Sequence, residues 1–197
     1  MAKDLAEQLK PQHEYTMAIR NELPEDGIAC FGVTQLGFYS WWGFPVYKPR
    51  TMIQPGYQGT LGYSFPTALG AKVGNPDKNV VCIVGDGGFM FNVQELATAV
   101  QQKINLVTVL FNDNAFGNVR RNQKEGYDGR YIASDLQNPD FTKLADSFGV
   151  MSLRADSPEA LSSALREAFK ADAPALIEVQ VGEFPGWQRF MPHRKLR

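Results

Sequence analysis

Two apolar runs that each end in an acidic turn constrain the fold of this chain more than any other feature. Residues 80–84 are followed by Gly85-Asp86-Gly87, and residues 106–111 are followed by Asn112-Asp113-Asn114. Short apolar runs bounded by turn residues are typical of strands buried on both faces of a sheet. We therefore expect two neighbouring parallel strands that bring Asp86 and Asp113 to one sheet edge, where open α/β sheets bind ligands.

The other apolar segments alternate between strand and helix patterns. Strands are predicted at residues 28–33, 51–53, 80–84, 106–111, 151–153 and 175–181. Helices are predicted at residues 12–23, 37–43, 65–73 and 92–101, and after the turns at Pro139 and Pro158. This alternation indicates an α/β fold with three α/β/α layers and a mostly parallel six-stranded sheet.

Capping signals predict where several helices begin. Asn92 with Glu95 has the pattern of a capping box. Asn138-Pro139-Asp140 and Ser157-Pro158-Glu159 each predict a helix with proline at its first position. The stretch from the end of the 106–111 strand to about residue 138 is expected to be a long polar loop that is either mobile or functional.

The composition disfavours several classes of partner. The 197 residues are 44% hydrophobic and 21% charged, with a net charge of −1, which argues against nucleic acid or a membrane as the main partner. No apolar run approaches the length of about 18 residues that a transmembrane helix needs. Cys30 and Cys82 are expected to be small buried residues of a cytoplasmic protein. We expect a linker or lead-in arm at residues 1–11, one domain at 12–182 and a tail at 183–197.

The motif around Asp86 resembles a cofactor motif. Gly85-Asp86-Gly87-Gly88, with 24 residues between Gly87 and the Asn112-Asp113 pair, resembles the thiamine-diphosphate motif, usually written GDG followed at a similar distance by NN. Further matches are Gly59-Thr60-Leu61-Gly62, Phe65-Pro66-Thr67-Ala68-Leu69-Gly70, Asn92-Val93-Gln94-Glu95-Leu96 and Phe116-Gly117. From about residue 12 to 181 the chain resembles the C-terminal thiamine-diphosphate-binding domain of the acetolactate synthase, benzoylformate decarboxylase and pyruvate oxidase family.

The resemblance implies a set of metal ligands. Asp86, Asp113 and the backbone carbonyl of Ala115 would bind Mg²⁺, and phosphate oxygens and water would complete its octahedron. Asp113 replaces the asparagine that is usual in the motif. Its oxygen can still bind the ion, and its charge should sharpen the dependence on metal, since two carboxylates beside a diphosphate repel each other. The alternative for Asp113 is a solvated turn residue.

The resemblance also implies how the cofactor would be held. The Gly87 and Gly88 amides would bind the diphosphate, Leu61 would keep the cofactor bent, and the Gly59 carbonyl would accept a hydrogen bond from its 4′-amino group. Gln35 matches a family glutamine, although the neighbouring histidine of several members is Leu36 here. Core packing is the alternative for Leu61, and a surface position is the alternative for Gln35. The implied cofactor-binding residues are Gln35, Gly59, Leu61, Gly85, Asp86, Gly87, Gly88, Asp113, Ala115, Phe116 and Gly117.

The implied activity needs more than this chain. Enzymes of the family resemble three such domains in a row, and the first carries a glutamate that activates the cofactor. No segment here resembles that domain, so we expect a glutamate-bearing pyrimidine-binding domain or subunit as partner, in a homo- or hetero-oligomer. The expected enzyme is a transferase or lyase that decarboxylates and carboligates 2-oxo acids, like acetolactate synthase, with no catalytic side chain of its own in this half of the site.

Other functions and residues remain as alternatives. A simple 2-oxo acid decarboxylase and a non-catalytic cofactor-binding or assembly domain are both open, whereas a Rossmann dinucleotide enzyme lacks its GxGxxG spacing here. His13 and His193 are expected at the surface. The aromatic residues of 38–47 could line a substrate pocket, the core or a subunit interface. Arg120, Arg121 and Arg130 could meet an anionic substrate or form a solvated face, and residues 187–197 could be a lid or a disordered tail.

Overall fold

Six parallel strands form one sheet in the computed structural model, which describes residues 6–186. In chain order the strands are β1 (Ile28–Phe31), β2 (Met52–Ile53), β3 (Val80–Gly85), β4 (Val107–Asn112), β5 (Met151–Ala155) and β6 (Ala175–Gln180). Their order across the sheet is β2-β1-β3-β4-β6-β5, and every pairing is parallel. The α/β fold is confirmed, with a sheet that is parallel throughout.

Helices cover both faces of this sheet. In chain order they are α1 (Lys10–Glu22), α2 (Gln35–Gly43), α3 (Ser64–Gly74), α4 (Asp86–Phe89), α5 (Glu95–Gln101), α6 (Gly117–Gly126), α7 (Phe141–Phe148) and α8 (Pro158–Lys170), with a 3₁₀ turn at Gly56–Gln58. Helices α1, α2 and α8 contribute to one hydrophobic core, and α3, α5 and α7 contribute to the other. The result is the expected three-layer arrangement.

The apolar sequences of the central strands explain why helices pack on both faces of the sheet. Val81 and Ile83 of β3 belong to the core under α1, α2 and α8, whereas Val80, Cys82 and Val84 belong to the core under α3, α5 and α7. Successive side chains of a strand point to opposite faces, so a continuous apolar run needs a helical layer on each side. The run at 80–84 therefore specifies an interior strand.

The connection from β3 to β4 differs from the single helix predicted at 92–101. Helix α4 begins directly after β3, and α5 begins only at Glu95. The predicted capping box at Asn92 is wrong, because the N-cap of α5 is Gln94 and no side chain caps this helix. The Asn92 side chain instead donates through Nδ2 to the carbonyl oxygen of Gly62 at 2.7 Å. The Asn92 side chain thus stabilises the loop that ends at Gly62 and does not cap a helix.

The two proline turns behave differently. Ser157 caps α8 by accepting a hydrogen bond from the Ala160 amide at 3.1 Å, and Pro158 is the first helical residue, as predicted. For α7 the prediction is wrong by two residues, because Asp140 is the N-cap and accepts from the Lys143 amide at 3.2 Å. Pro139 therefore lies before the cap. A capping carboxylate satisfies the free amides of the first turn, so the helix begins after Asp140.

The predicted polar loop after β4 contains a helix. Residues Gly117–Gly126 form α6, in which Val119 is the only aliphatic side chain. Apolar periodicity could not reveal this helix, since periodicity needs apolar residues. Arg121 of α6 is buried, with 4% of its surface exposed, so the helix packs on the domain through a charged residue.

Cys30 and Cys82 are buried free thiols, as predicted from their positions in strands. The structure adds that they are in register with each other on β1 and β3. Burial raises the pKa of the Cys30 thiol to about 12. None of the helices in the described part is both long and apolar enough to cross a bilayer.

The N-terminal limit of the predicted domain does not coincide with the start of a helix. Helix α1 begins at Lys10, and Leu9 is buried in a small cluster with Tyr39, so the limit predicted at residue 12 lies inside a helix. Most of the predicted C-terminal tail, residues 187–197, lies outside the described residues. The division into arm, domain and tail stays a prediction.

Candidate functional site

A cavity of about 290 Å³ lies at the carboxyl edge of the sheet, at the point where the strand order reverses. Strand β2 is added beside β1 on one side of this point, and β4 is added beside β3 on the other side. Such a switch point leaves a crevice outside the strand ends, and ligands of α/β proteins bind there. All the cofactor-binding residues implied by the resemblance line this cavity: Gln35, Gly59, Leu61, Gly85, Asp86, Gly87, Gly88, Asp113, Ala115, Phe116 and Gly117.

Asp86 lies at the first position of α4 and is almost completely buried, with 2% of its surface exposed. Gly85 is in register with Phe111, so β3 and β4 end side by side. The Oδ2 atom of Asp86 accepts a hydrogen bond from Nδ2 of Asn138 at 2.6 Å. Burial raises the pKa of Asp86, while this hydrogen bond and those from the Gly87 and Asn114 amides lower it.

Asp113 follows β4 and faces Asp86. Its Oδ1 atom accepts from the Ala115 amide at 3.3 Å, and its carboxyl group lies close enough to that of Asp86 for the two charges to interact. Burial raises the pKa of Asp113 to about 6, helped by the charge of Asp86. Two carboxylates so close can share a proton or a cation, and oxygen ligands of this kind suit a hard divalent ion.

The donor set at this edge fits Mg²⁺ in a particular way. Within residues 6–186 no three His, Cys, Asp or Glu side chains gather as a metal site. Two carboxylates and the Ala115 carbonyl would therefore leave several positions of an octahedron to other oxygens. Mg²⁺ keeps water and takes substrate phosphates in such sites, so the donors present fit a metal held jointly by the protein and a phosphate ligand.

Two glycines at the cavity are required by close packing. A Cβ atom at Gly87 would lie 2.5 Å from Cε1 of Phe116, and one at Gly117 would lie 2.5 Å from Oδ2 of Asp113. Real Cβ atoms do not approach other atoms so closely, so a larger residue would displace the Phe116 ring or the Asp113 carboxyl group. Both glycines thus keep the floor of the cavity and one of its acidic groups in place.

The loop before α3 forms another wall of the cavity. Gly59 has a left-handed backbone, with φ of 55°, and Gly62 is fastened to Asn92. Leu61 lies between them and is only half-buried, with its side chain at the cavity. Leu61 is therefore a lining residue, and the alternative of simple core packing is not what the structure shows.

Gln35 begins α2, which Thr34 caps by accepting from the Gly37 amide at 3.0 Å. The Oε1 atom of Gln35 accepts from Nη1 of Arg121 at 3.2 Å, which leaves its Nε2 atom as the end that can donate to an anionic group. Arg121 also donates to the carbonyl oxygen of Phe184. The solvated position considered for Arg121 is wrong, because this side chain joins α2, α6 and the segment after β6.

A second cavity, of about 310 Å³, adjoins the first and is more polar. Arg120 on its wall pairs with Asp135 at 2.7 Å and lies over the Tyr131 ring at 4.4 Å. Lys124 pairs with Glu183 at 3.3 Å. Arg120 and Lys124 are therefore both in ion pairs within the protein. For Arg120 this weakens the prediction that its side chain binds an anionic substrate.

Several other prominent residues lie away from the acidic pair. His13 is half-buried rather than at the surface, since its Nδ1 atom is 2.8 Å from the Tyr39 hydroxyl group, whereas His193 lies outside the described residues. Arg130 donates through Nε to the Tyr127 carbonyl oxygen at 3.1 Å. The aromatic residues of 38–47 divide between core and surface: Phe38 lines the cavity, Tyr39 is buried, and Trp41 and Trp42 are nearly half exposed.

Sequence reasoning missed the polar residues behind Asp86. Asn138 donates to Asp86, and Asn112 donates through Nδ2 to Oε1 of Glu178 at 2.9 Å in the sheet interior. Arg154 then donates to Oε2 of Glu178 at 3.0 Å. A signal was present, because Glu178 is a charged residue within the apolar run of β6 and is 1% exposed. A buried carboxylate of this kind requires polar partners.

Comparisons with known proteins agree with this geometry. The sequence matches the family described as thiamine pyrophosphate enzyme, C-terminal TPP binding domain, over residues 32–179. A solved thiamine diphosphate-dependent 4-hydroxybenzoylformate decarboxylase from Rhodococcus jostii superposes with a TM-score of 0.80 at 29% identity, covering 87% of this chain and 32% of that one. The fold and the site thus define a thiamine-diphosphate-binding domain.

The curated relatives narrow the class further. A probable acetolactate synthase large subunit of Methanococcus aeolicus is 38% identical over 78% of this chain and 26% of its own length. The acetolactate synthase large subunit of Haemophilus influenzae is 41% identical over 71% of this chain and 25% of its own length. The chain belongs to the thiamine pyrophosphate enzyme family, as its C-terminal cofactor-binding domain, and spans about a quarter of the length of these relatives.

Proposed function

We propose that this chain binds thiamine diphosphate through Mg²⁺ and forms the diphosphate-binding half of the active site of a 2-oxo acid decarboxylase and carboligase. The observation that carries the proposal is the contact between the Asp86 and Asp113 carboxyl groups at the switch-point cavity. A divalent cation between these groups would neutralise the charge they bring to a diphosphate.

Each residue at the cavity then has a definite task. Asp86, Asp113 and the Ala115 carbonyl hold the metal, and the amides of Gly87 and Gly88 at the start of α4 donate to the diphosphate. Leu61, which also lines the cavity, supports the bent cofactor, and the Gly59 carbonyl accepts from its amino group. When bound, thiamine diphosphate supplies the electron sink for cleavage of the bond between the carboxyl and keto carbons.

The other half of the site would come from a second domain or subunit. The chain covers 25% to 30% of the lengths of the first three relatives, so most of a protein like theirs lies beyond a domain of this size. We propose that a glutamate-bearing pyrimidine-binding domain docks over the cavity, so that the complete site forms in an oligomer. In that arrangement this chain binds and orients the cofactor, while the partner activates it.

Two outcomes of the reaction have support. The similarity to acetolactate synthase large subunits favours carboligation, in which the decarboxylated fragment adds to a second carbonyl compound. The solved relative carries the name of a decarboxylase, which favours simple decarboxylation as the second candidate. A non-catalytic cofactor-binding role is the third.

Two measurements on the 197-residue chain test the proposal. Calorimetric titration with thiamine diphosphate and Mg²⁺ should give saturable binding for the wild type and for an Asp77→Asn control in the turn before β3, but not for Asp86→Ala. Pyruvate turnover should be absent for the chain alone and should appear when a glutamate-bearing partner is added. Unchanged affinity in Asp86→Ala would contradict the metal site, and binding without turnover in the presence of the partner would favour the non-catalytic role.

A further inference from the structure

A closed ring of hydrogen bonds fixes the turn of residues 138–140 against the strand ends. Asn138 donates through Nδ2 to Oδ1 of Asn112 at 3.0 Å, and Asn112 donates through Nδ2 to Oε1 of Glu178 at 2.9 Å. Arg154 donates to Oε2 of Glu178 at 3.0 Å and to Oδ1 of Asp140 at 2.6 Å. Because Asp140 lies two residues after Asn138, the ring returns to the turn at which it began.

The ring links three neighbouring strands to the start of a helix. Asn112 is the last residue of β4, Glu178 lies within β6, and Arg154 lies within β5. Asp140 is also the N-cap of α7, so the same carboxylate binds a helix amide and the Arg154 guanidinium. Side chains that are hydrogen-bonded in such a ring have little rotational freedom. The orientation of the Asn138 amide is therefore set by residues that lie outside the cavity.

One member of this ring reaches the acidic pair. The Nδ2 atom of Asn138 is 2.6 Å from Oδ2 of Asp86, which is the shortest of its three contacts with oxygen atoms, the others being with Asn112 and Asn114. An amide nitrogen carries only two hydrogen atoms, so its donors are taken up by these acceptors. One oxygen of Asp86 thus accepts from Asn138, and this hydrogen bond restrains the orientation of the carboxyl group together with those from the Gly87 and Asn114 amides.

We propose that Asn138 is a positioning residue, which holds the Asp86 carboxyl group in its metal-binding orientation and is itself held by the ring of Asn112, Glu178, Arg154 and Asp140. This inference deepens the proposed function, on which its metal-binding part rests. Partners in the second shell of a metal site typically change metal affinity by about 10- to 100-fold when they are removed. Asn138→Ala should therefore weaken the binding of the metal ion without removing one of its ligands.

The test uses the 197-residue chain with Asn138→Ala and, as a control, Asn105→Ala, which loses an exposed side-chain contact to Asp172. The first readout is Mn²⁺ affinity in the presence of thiamine diphosphate, measured by electron paramagnetic resonance. Asn138→Ala should bind about tenfold more weakly, and Asn105→Ala should bind like the wild type. Equal affinities of Asn138→Ala and the wild type would overturn the proposal.

A second readout requires no metal and separates this inference from the proposed function. In the metal-free chain, the carboxyl carbon resonance of Asp86 should move in Asn138→Ala and stay in place in Asn105→Ala. Arg154→Met, which opens the ring at its far side, should shift the side-chain amide resonance of Asn138. If the wild type binds no Mn²⁺ the proposed function fails, while an Asp86 resonance that is unmoved in Asn138→Ala overturns the positioning role in either case.

Discussion

The carboxyl groups of Asp86 and Asp113 lie close enough to interact electrostatically at the ends of two adjacent parallel strands. Neither carboxyl group is fully exposed, and the pKa of each is raised, first of all by burial. In the absence of a cation the Asp113 carboxyl group therefore keeps its proton up to a higher pH than a free aspartate does. Protons and divalent metal ions should therefore compete for this place, and stability, metal binding and cofactor binding should all depend on pH.

The stability of the metal-free protein should fall as the pH rises past the titration of Asp113. Its folded-state pKa of about 6 exceeds the usual value of 3.8, so the folded state favours the protonated form. The stabilisation is complete below the unfolded-state pKa and is lost as the pH rises through about 6. In urea unfolding, the free energy of unfolding of Asp113→Asn should rise relative to that of the wild type between pH 4 and pH 7. A difference in this free energy that stays constant over the range would contradict the prediction.

Asp113→Asn should also reduce the dependence of cofactor binding on metal. The extra carboxylate of the wild type repels a diphosphate unless a cation lies between them. The ratio of thiamine diphosphate affinities with and without Mg²⁺ should therefore be smaller in the variant, by about tenfold or about 1.4 kcal/mol. Calorimetry with Mg²⁺ and with a chelator measures this ratio, and an equal ratio in both proteins would show that Asp113 does not face the diphosphate.

Gly87→Ala should damage the cavity floor. Its new Cβ atom would lie 2.5 and 2.7 Å from two carbons of the Phe116 ring, so the ring must move. Overpacking of this kind costs about 1–3 kcal/mol of stability. Gly70→Ala is the matched control, because it adds a Cβ with no atom within 4 Å on helix α3 and should be neutral or stabilising. Equal melting temperatures of the two variants would contradict the close contact with Phe116.

Arg154→Met should destabilise the protein more than Arg166→Met does. Arg154 is bonded to Glu178, which is 1% exposed, so its loss leaves a buried carboxylate without its cation and should cost about 2 kcal/mol. Arg166 pairs with the more exposed Glu22 at 2.5 Å, a surface pair worth less than about 1 kcal/mol. Chemical unfolding of both variants gives the comparison, and similar losses would show that Glu178 does not depend on Arg154.

The strands and the cofactor motif could be predicted because their signals are local. Continuous apolar runs specify interior strands, so the positions of β3 and β4 and of the Asp86 and Asp113 turns follow from the sequence. The ring behind Asp86 could not be predicted, since Asn138, Glu178 and Arg154 are brought together only by the strand order. Helix α6 was missed for a different reason, because its packing depends on the buried Arg121 rather than on an apolar stripe.

A metal ion between Asp86 and Asp113 is the central requirement of the proposed function, and anomalous scattering from crystals grown with Mn²⁺ and thiamine diphosphate locates that ion directly. We expect one peak at about 2.0–2.3 Å from a carboxylate oxygen of each aspartate and from the Ala115 carbonyl oxygen. A peak elsewhere in the chain, or a cofactor bound with no metal at this edge of the sheet, would contradict the account.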